Sequence, residues 1–520
     1  MADYVVGVDV GTTGAKAVLT SADGQIVAEH ASSYDVLTPR PLWAEQWPQV
    51  WLEGLSEAVR GVIARAGVDT TQVRAMTVSS LYGGSGIPVD ADLEPLRPCL
   101  IWMDRRAQAE SSWVQREVPI DDLVRVTGNG VDSYYGFTKI LWLQRHEPEV
   151  WAKTRYLLPP NAWLIERLTG ELAVDHSSAG NIGGVYDIGA RRWSSAMCER
   201  LGIPVTLFPE RLVGSSEVVG TLHARGATLT GLPEGVPVCA GGVDAAVATL
   251  SAGVFRAGQH VAMMGTSMCW GFVHQQAPSE PGLVSMPYVV DAEHTTYTFG
   301  GASTAGAAAK WFRDELGQVE QAVERWTAEA TGTALNAYAQ LDAAAERVPP
   351  GADGLLVLPY LMGERSPIWD ANARGSVVGL TLFHTRAHLY RAFLEGVAFA
   401  LRHNIEAGRD ANYPLDDQLL VVGGGAKSKL WTQIMADVTG YPVLAADSGG
   451  EAALGDAMLA ALGVGLADAT SIRGWVESAA LYRRFDPDAA AAARYDALFP
   501  HYVGLYGDLR ERFAALAQLD

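Results

Sequence analysis

Short apolar runs alternate along the whole chain with segments of helical periodicity, which favours an α/β fold. Near the start, Val5, Val6 and Val8 lead into Asp9, and a second apolar run, 17–19, follows a glycine-rich stretch. This pattern predicts a hairpin of two buried strands. The following pair Asp23-Gly24 predicts a second hairpin turn before another strand.

The same patterning predicts further elements downstream. The expected helices are 47–66, an aromatic-rich segment 148–169 broken at Pro159-Pro160, a helix from Ser428 and an alanine-rich helix 488–495. A further helix is expected from Ala387, with a buried apolar stripe of Leu389, Phe393, Val397, Leu401 and Ile405. The expected strands are 73–79 and 419–422, together with a short strand that leads into Gly265.

The tip of the first hairpin concentrates polar chemistry. The run GVDVGTTGAKAVL places Asp9, Gly11, Thr12, Thr13 and Lys16 in one turn. Glycines let backbone N–H groups approach phosphate oxygens, an aspartate can hold a water of hydrated Mg²⁺, and a lysine can offset negative charge. The spacing fits neither a P-loop nor a Rossmann turn. A glycine-rich hairpin turn without a ligand is the alternative interpretation.

A second turn of this type lies about 250 residues further on. VAMMGTSMCW carries Gly265, Thr266 and Ser267, and the preceding segment GGVDAAVATLSAG carries Asp244. Two such turns predict a duplicated domain whose halves bind one nucleotide, although Gly-Thr-Ser also occurs by chance. We expect an N-terminal domain, 1–250, and a C-terminal domain, 251–520. An aspartate at this place can accept a proton or serve as a helix N-cap, and the two roles can coexist.

Composition narrows the function classes. The chain has 520 residues, 48% hydrophobic, with a net charge of −20, which is typical of a two-domain globular protein and argues against nucleic acid or anionic membrane as partners. An apolar run of membrane-spanning length and a leader pattern are both missing, so we expect a cytoplasmic protein. The four cysteines form no CxxC pair, which argues against a zinc site.

With these turns in view, the chain resembles the FGGY family of carbohydrate kinases from residue 4 to about 482. GSVVGLTLFHTRAHLYRAFLE, at 375–395, is similar to the second signature of the family, and FTKILW, at 137–142, is similar to the first, with Gly136 in place of the usual proline, serine or threonine. IWMDRR, GERSPIWDANARG and GGGAKSKLW are also similar to family motifs.

The resemblance implies a two-domain actin-like, ribonuclease-H-like ATPase fold with an interdomain cleft, and transfer of phosphate from ATP with Mg²⁺ to a sugar hydroxyl. It implies that Asp244 is the catalytic base and that Asp9 faces the metal. The two turns would hold phosphate. A glycine-rich turn would lie against adenosine: Gly423, Gly424, Gly425 and Ala426.

The resemblance also implies a set of sugar-facing residues besides Asp244: Tyr82, Gly83, Gly84, Trp102, Asp104, Arg106, Asp132 and Tyr134. The spacing of these motifs is similar to that of the xylulose kinases, so D-xylulose is the leading expectation. The Gln-Met-His-Gly loop of xylulose kinases is replaced by Leu81-Tyr82-Gly83-Gly84, so another ketopentose or a pentitol stays as an alternative. GERSPIWDANARG also resembles gluconate kinases, which keeps gluconate as an alternative. Asp132-Ser133-Tyr134 resembles glycerol kinases, but glycerol is disfavoured because Ala245 stands where glycerol kinases carry glutamine. A non-kinase nucleotide switch on the same fold is a further alternative, and a homodimer is possible.

Overall fold

A computed structural model describes residues 3–446, 449–479, 482–517 and 519. Its strands are β1 (Tyr4–Val10), β2 (Gly14–Ser21), β3 (Ile26–Ser33), β4 (Glu45–Gln46), β5 (Val73–Ser80), β6 (Ile87–Val89), β7 (Cys99–Leu100), β8 (Tyr156–Leu158), β9 (Val174–Asp175), β10 (Tyr186–Asp187), β11 (Arg192–Trp193), β12 (Leu212–Val213), β13 (Val218–Thr221), β14 (Pro237–Cys239), β15 (His260–Met264), β16 (Met268–His274), β17 (Val284–Pro287), β18 (Thr296–Ala302), β19 (Leu356–Leu358), β20 (Ser376–Val378), β21 (Leu419–Val422), β22 (Val443–Ala446) and β23 (Arg483–Phe485).

The helices are α1 (Pro48–Ala66), α2 (Gln108–Glu117), α3 (Ile120–Thr127), α4 (Gly136–His146), α5 (Pro148–Lys153), α6 (Pro160–Thr169), α7 (His176–Asn181), α8 (Ser195–Leu201), α9 (Ala224–Thr230), α10 (Asp244–Ser251), α11 (Gly306–Leu316), α12 (Gln318–Thr331), α13 (Ala337–Ala345), α14 (Arg386–Asp410), α15 (Lys429–Thr439), α16 (Ala452–Gly463), α17 (Ala469–Ala479) and α18 (Ala489–Leu516). Within the described ranges, none of these helices has the length and apolar character needed to cross a membrane.

The chain folds into two compact units. The first unit contains 1–257, 273–298 and 450–479, and the second contains 258–272, 299–449 and 480–520. A central sheet in the first unit has the order β13-β14-β5-β1-β2-β3, with β1 antiparallel to β2 and parallel to β5. This confirms the predicted hairpin and places Asp9 beside Lys16 on one neighbouring strand and beside Ser79 on the other.

Helices cover this sheet because its central strands, β1, β2 and β5, are largely buried on both faces. On one side, α1 begins with Pro48 at its first turn, ends at Gly67 in the left-handed conformation, and buries Trp51, Leu55 and Val59. On the other side, α16 lies so close to β1 that position 7 must be glycine. A Cβ atom on Gly7 would lie 1.9 Å from the carbonyl oxygen of Ala453 on α16. The glycine lets α16 pack directly on the central strand.

The second unit repeats the strand arrangement. Strands β15 and β16 form a hairpin whose tip is the Gly265 turn, and β21 lies parallel to β15, followed by β22 and β23. The long helix α14 buries four of the five residues of its predicted stripe, Phe393, Val397, Leu401 and Ile405, whereas Leu389 is only partly buried. In both units, therefore, a glycine-hydroxyl turn joins two antiparallel strands, one of which pairs with a parallel third strand.

One prediction of secondary structure is wrong. The segment 148–169 is not one helical region broken at Pro159-Pro160, because β8 lies between α5 and α6. Strand β8 pairs with β6, with Leu158 opposite Ile87. Tertiary pairing of this apolar tripeptide overrides the helical tendency of its neighbours.

Candidate active site

The first glycine-hydroxyl turn is already bonded to the protein around it. The amide of Gly11 donates to the carbonyl of Gly14 at 2.9 Å, and the Tyr34 hydroxyl donates to the carbonyl of Gly11 at 2.7 Å. The indole Nε1 of Trp102 donates to the hydroxyl oxygen of Thr12 at 3.0 Å. Thr12, expected to face phosphate, and Trp102, expected to face sugar, are thus in direct contact, and Thr13 stays exposed.

Lys16 is held by two carboxylates. Its ammonium lies 2.8 Å from Glu29 and 2.5 Å from Glu451, and all three side chains are partly exposed. Burial acts to lower the pKa of Lys16, but the hydrogen bonds and charges of Glu29 and Glu451 outweigh it, so that the pKa is raised above its ordinary value. The lysine is cationic, but its charge is offset inside the first unit, which the sequence does not indicate.

Asp9 is partly buried, and the neighbouring side chains of Ser79 and Asp456 are fully buried. The Ser79 hydroxyl lies 3.5 Å from Asp9 Oδ1 and donates a short hydrogen bond to Asp456 Oδ2 on α16. Burial, and then the charge of Asp244, raises the pKa of Asp9 well above its ordinary range. Burial also raises the pKa of Asp456, whose Oδ1 atom is buried without a hydrogen-bond partner. Because burial disfavours the ionised form of these carboxyl groups, a cation bound nearby would stabilise their negative charge.

Asp244 is the first residue of α10. The N-cap of that helix is Val243, so the interpretation of Asp244 as the N-cap is wrong. Its Oδ1 accepts a hydrogen bond from the amide of Ala245 at 2.6 Å, and burial raises its pKa to about 6. An aspartate at a helix N-terminus with this pKa is ionised at neutral pH and can accept a proton.

The residues expected at the sugar divide into two groups. The first group forms a packed pair of loops, in which the Tyr82 and Tyr134 rings lie 5.1 Å apart and the amide of Tyr134 donates to Asp132 at 2.7 Å. Tyr82, Gly83 and Gly84 line a small cavity together with Ser80 and Val243. The amide of Gly136 donates to the Tyr82 hydroxyl. The structure brings these loop residues together.

The second group, Asp104 and Arg106, forms an internal scaffold. Asp104 is fully buried and accepts from the amide of Ala44 at 2.7 Å, and Arg106 pairs with Asp104 at 2.7 Å and with Glu45 at 2.6 Å. The guanidinium of Arg106 stacks at 3.6 Å on the Trp43 ring. Because these polar groups bind one another, the arrangement favours a positioning role over direct contact with a sugar.

The second unit contains an open cavity of about 920 Å³. Gly265 and Thr266 of the second turn line it together with Gly424 and Gly425, whereas Ser267, Gly423 and Ala426 are not among the lining residues. Gly423 has φ 93° and starts a short 3-10 turn, Gly424–Lys427. The two sequence-predicted donor segments of this unit therefore meet at one cavity of nucleotide size.

Several lining residues of this cavity have no signal in the sequence. They come from α11, α13, α14 and the start of α15, and include Lys310, Trp311, Asn336, Tyr338, Asp342 and Tyr390. In the first unit, Ser79, Glu451 and Asp456 were also missed. Asp456 had a usable signal, because it is the only charged residue in the apolar helix α16.

The chain matches the FGGY family of carbohydrate kinases, with the N-terminal domain over residues 4–251 and the C-terminal domain over 260–464. It is 30% identical to the xylulose kinase of Bacillus subtilis over 521 residues, with 99% of this chain and 98% of that protein covered. The gluconokinase of the same organism is 28% identical, with the same coverage. The crystal structure of xylulose kinase from Rhodospirillum rubrum gives a TM-score of 0.85 at 30% identity and covers 98% of this chain and all of that one.

The fold and these matches define a phosphotransferase that acts on an alcohol group of a small-molecule sugar, on a two-domain actin-like α/β fold. The chain belongs to the FGGY family of carbohydrate kinases. This confirms the predicted fold class, family and enzyme class, with ATP as the substrate that a kinase of this family implies.

Proposed function

We propose that this kinase transfers the γ-phosphoryl group of ATP to D-xylulose and forms xylulose 5-phosphate. The observation that carries the proposal is Asp244, an ionisable carboxylate of the first unit whose charge influences the pKa of Asp9. Asp244 accepts the proton of the attacking hydroxyl, and bases of this kind contribute about 10² to 10⁴-fold. Positioning of the hydroxyl and neutralisation of charge supply most of the remaining rate.

In this proposal each of the two domains that the sequence predicts binds a different part of the substrates. The N-terminal domain, about 1–250, holds the sugar and the first phosphate turn, with Thr12 and Thr13 toward phosphate. The C-terminal domain, about 251–520, holds adenosine against Gly423–Ala426, and phosphate at Gly265, Thr266 and Ser267. The size of the cavity in the second unit and the glycines that line it support this assignment.

The residues of the first unit fit a hydrated Mg²⁺. In the described part of the chain, no three His, Cys, Asp or Glu side chains cluster closely enough to hold a metal unaided. Mg²⁺ commonly binds through one or two carboxylates, water and substrate phosphates, so Asp9 in its deprotonated form would be a suitable single protein anchor. A cation at this place would favour the ionised form of Asp9, whose pKa is raised by burial. When bound there, the ion would neutralise charge on the phosphates.

The ion pairs near the residues expected at the sugar favour a neutral sugar over a sugar acid as the substrate. Arg105 pairs with Asp132, and Arg106 pairs with Asp104 and Glu45. A carboxylate substrate such as gluconate would have to compete with these acidic partners for a guanidinium group. The identity to xylulose kinases supports the same choice, and the gluconokinase relative makes gluconate the second candidate.

ADP release with Mg²⁺ and a panel of acceptors tests the proposal. The panel contains D-xylulose, D-ribulose, pentitols, glycerol and gluconate, each with ATP alone as the control. We expect D-xylulose to give the highest kcat/KM. A higher value for gluconate would transfer the assignment to the sugar-acid kinases, and ADP release that no sugar or polyol stimulates would refute the proposal.

A further inference from the structure

Lys139 on α4 is a fully buried lysine that neither the expected sites nor the proposed mechanism uses. Its Nζ donates to the carbonyl oxygen of Ser133 at 2.6 Å and to that of Tyr134 at 2.5 Å. Burial of an ammonium group is costly unless its protons are bonded. The buried ammonium group is therefore stabilised by these two carbonyls, and its hydrogen bonds in turn hold the carbonyls in place.

Several charged or ionisable groups of the first unit surround Lys139. Arg105, Asp104, Asp132 and the Cys99 thiol act on it electrostatically, and the Tyr134 ring centroid lies 6.0 Å from Nζ. Burial lowers the pKa of Lys139 to about 7. Asp104 forms its ion pair with Arg106, and Asp132 forms its ion pair with Arg105. The bonds of Lys139 go to the backbone instead.

The backbone that Lys139 holds is the loop 132–135, which we call the acceptor loop. The amide of Tyr134 donates to Asp132, and the Tyr134 ring packs on Tyr82. The loop ends at Gly136, where a Cβ atom would lie 2.0 Å from the carbonyl oxygen of Gly84 and 2.9 Å from the Tyr82 hydroxyl. This close approach explains why glycine replaces the larger residue that is typical of the family at this position.

We propose that Lys139 is a positioning residue for the sugar: its ammonium fixes the Ser133 and Tyr134 carbonyls, and thereby sets the affinity for the acceptor. The inference rests on the proposed function, because it takes Tyr134 to face the sugar. Two tight loops, 82–84 and 132–135, then form one preorganised wall. Preorganisation of this kind raises affinity by lowering the ordering cost on binding.

The test compares Lys139→Met with Lys139→Gln. The methionine keeps an apolar chain but has no N–H group, whereas the glutamine keeps two N–H donors without the charge. Arg60→Met is a matched control, because Arg60 also donates to two backbone carbonyls of the first unit, those of Thr228 and Leu229, outside both loops. The KM values for D-xylulose and for ATP are measured together with hydrogen exchange of a peptide that covers 132–137.

For Lys139→Met we expect the acceptor KM to rise about 10-fold or more, the KM for ATP to change less than about twofold, and exchange in 132–137 to increase. Lys139→Gln recovers part of the acceptor affinity, and Arg60→Met changes neither KM. An unchanged acceptor KM with unchanged exchange would overturn the inference. Failure of both Lys139 variants to fold would also overturn it, since Lys139 would then stabilise the whole unit. Wild-type protein without sugar-dependent turnover would refute the proposed function, while the exchange experiment would still test the contact of Lys139 with the loop.

Discussion

The two glycine-hydroxyl turns sit at equivalent hairpins but differ in what binds their polar groups. In the first turn, Thr12 contacts Trp102 and Lys16 contacts Glu29 and Glu451. In the second turn, Gly265 and Thr266 are exposed on a cavity of about 920 Å³. Similar local sequences therefore carry different polar contacts, because the surrounding elements decide which donors stay available to a ligand.

From this difference we expect the two units to affect different steps of the reaction. The second turn is open to the cavity and suited to bind nucleotide with little rearrangement. In the first unit, Thr12 of the turn contacts Trp102, which is expected to face the sugar, and Ser79 lies between the carboxyl groups of Asp9 and Asp456. Changes in the first unit should mainly alter transfer, and changes at the cavity should mainly alter nucleotide affinity.

Asp244→Asn should have the largest effect. The amide cannot accept the proton of the sugar hydroxyl as a carboxylate does, so we expect kcat to fall about 10² to 10⁴-fold. Nucleotide affinity, measured by calorimetry with ADP, should change less than about threefold, because the second unit supplies its own cavity. A kcat near that of the wild type would show that Asp244 is not the base.

Gly424→Leu should give the next largest effect. A Cβ atom at this exposed position has only the Met264 carbonyl oxygen near it, at 3.9 Å, so the fold accepts a side chain that fills part of the cavity. We expect the KM for ATP to rise about 10-fold with the acceptor KM unchanged, as judged from initial rates.

Gly504→Leu is the matched control for that variant. Gly504 is an exposed position of α18 in the same unit, it is not among the residues that line the cavity, and a Cβ atom there has no atom outside its own helical turn within 4 Å. The KM for ATP of this control should stay close to that of the wild type. An equal rise in the KM for ATP in both variants would place the nucleotide elsewhere.

The pH dependence of the wild type is the third prediction. A base must be ionised to accept a proton, and the pKa of Asp244 is raised to about 6. Below this pH, kcat/KM for the acceptor should fall about 10-fold per pH unit, and it should level off above it. Thermal melts over the same range check that the protein stays folded. A flat profile between pH 5 and 7 would contradict the role of Asp244.

Much of the fold could be predicted from local pattern. Alternation of apolar residues around GTTG gives the hairpin of β1 and β2, and the stripe on α14 gives its buried face, because both depend on residues close in sequence. Strand β8 could not be predicted, since its state depends on pairing with β6.

The candidate site shows the same limit. Asp9 and Asp244 lie in recognisable motifs, but Glu451 reaches Lys16, and Asp456 reaches Ser79, across several hundred residues of sequence. Asp132, which binds Arg105, and Glu45, which binds Arg106, likewise reach their partners through tertiary packing. Local sequence indicates which groups carry the chemistry, whereas the partners that tune them come from the packing of distant elements.

Glu451→Gln should give the smallest effect and tests why the first turn differs from the second. The amide keeps the shape of the side chain but removes one of the two negative charges on Lys16, so the ammonium becomes more available to a phosphate group. We expect the KM for ATP to fall about twofold, more at low ionic strength, with a change in stability below about 1 kcal/mol because the pair is partly exposed. Glu29→Gln is the control, since it removes the other partner and should act in the same direction. An increase in the KM for ATP in both variants would mean that the two carboxylates hold Lys16 in its working position, so that the polar contacts of the first turn are a condition for nucleotide binding.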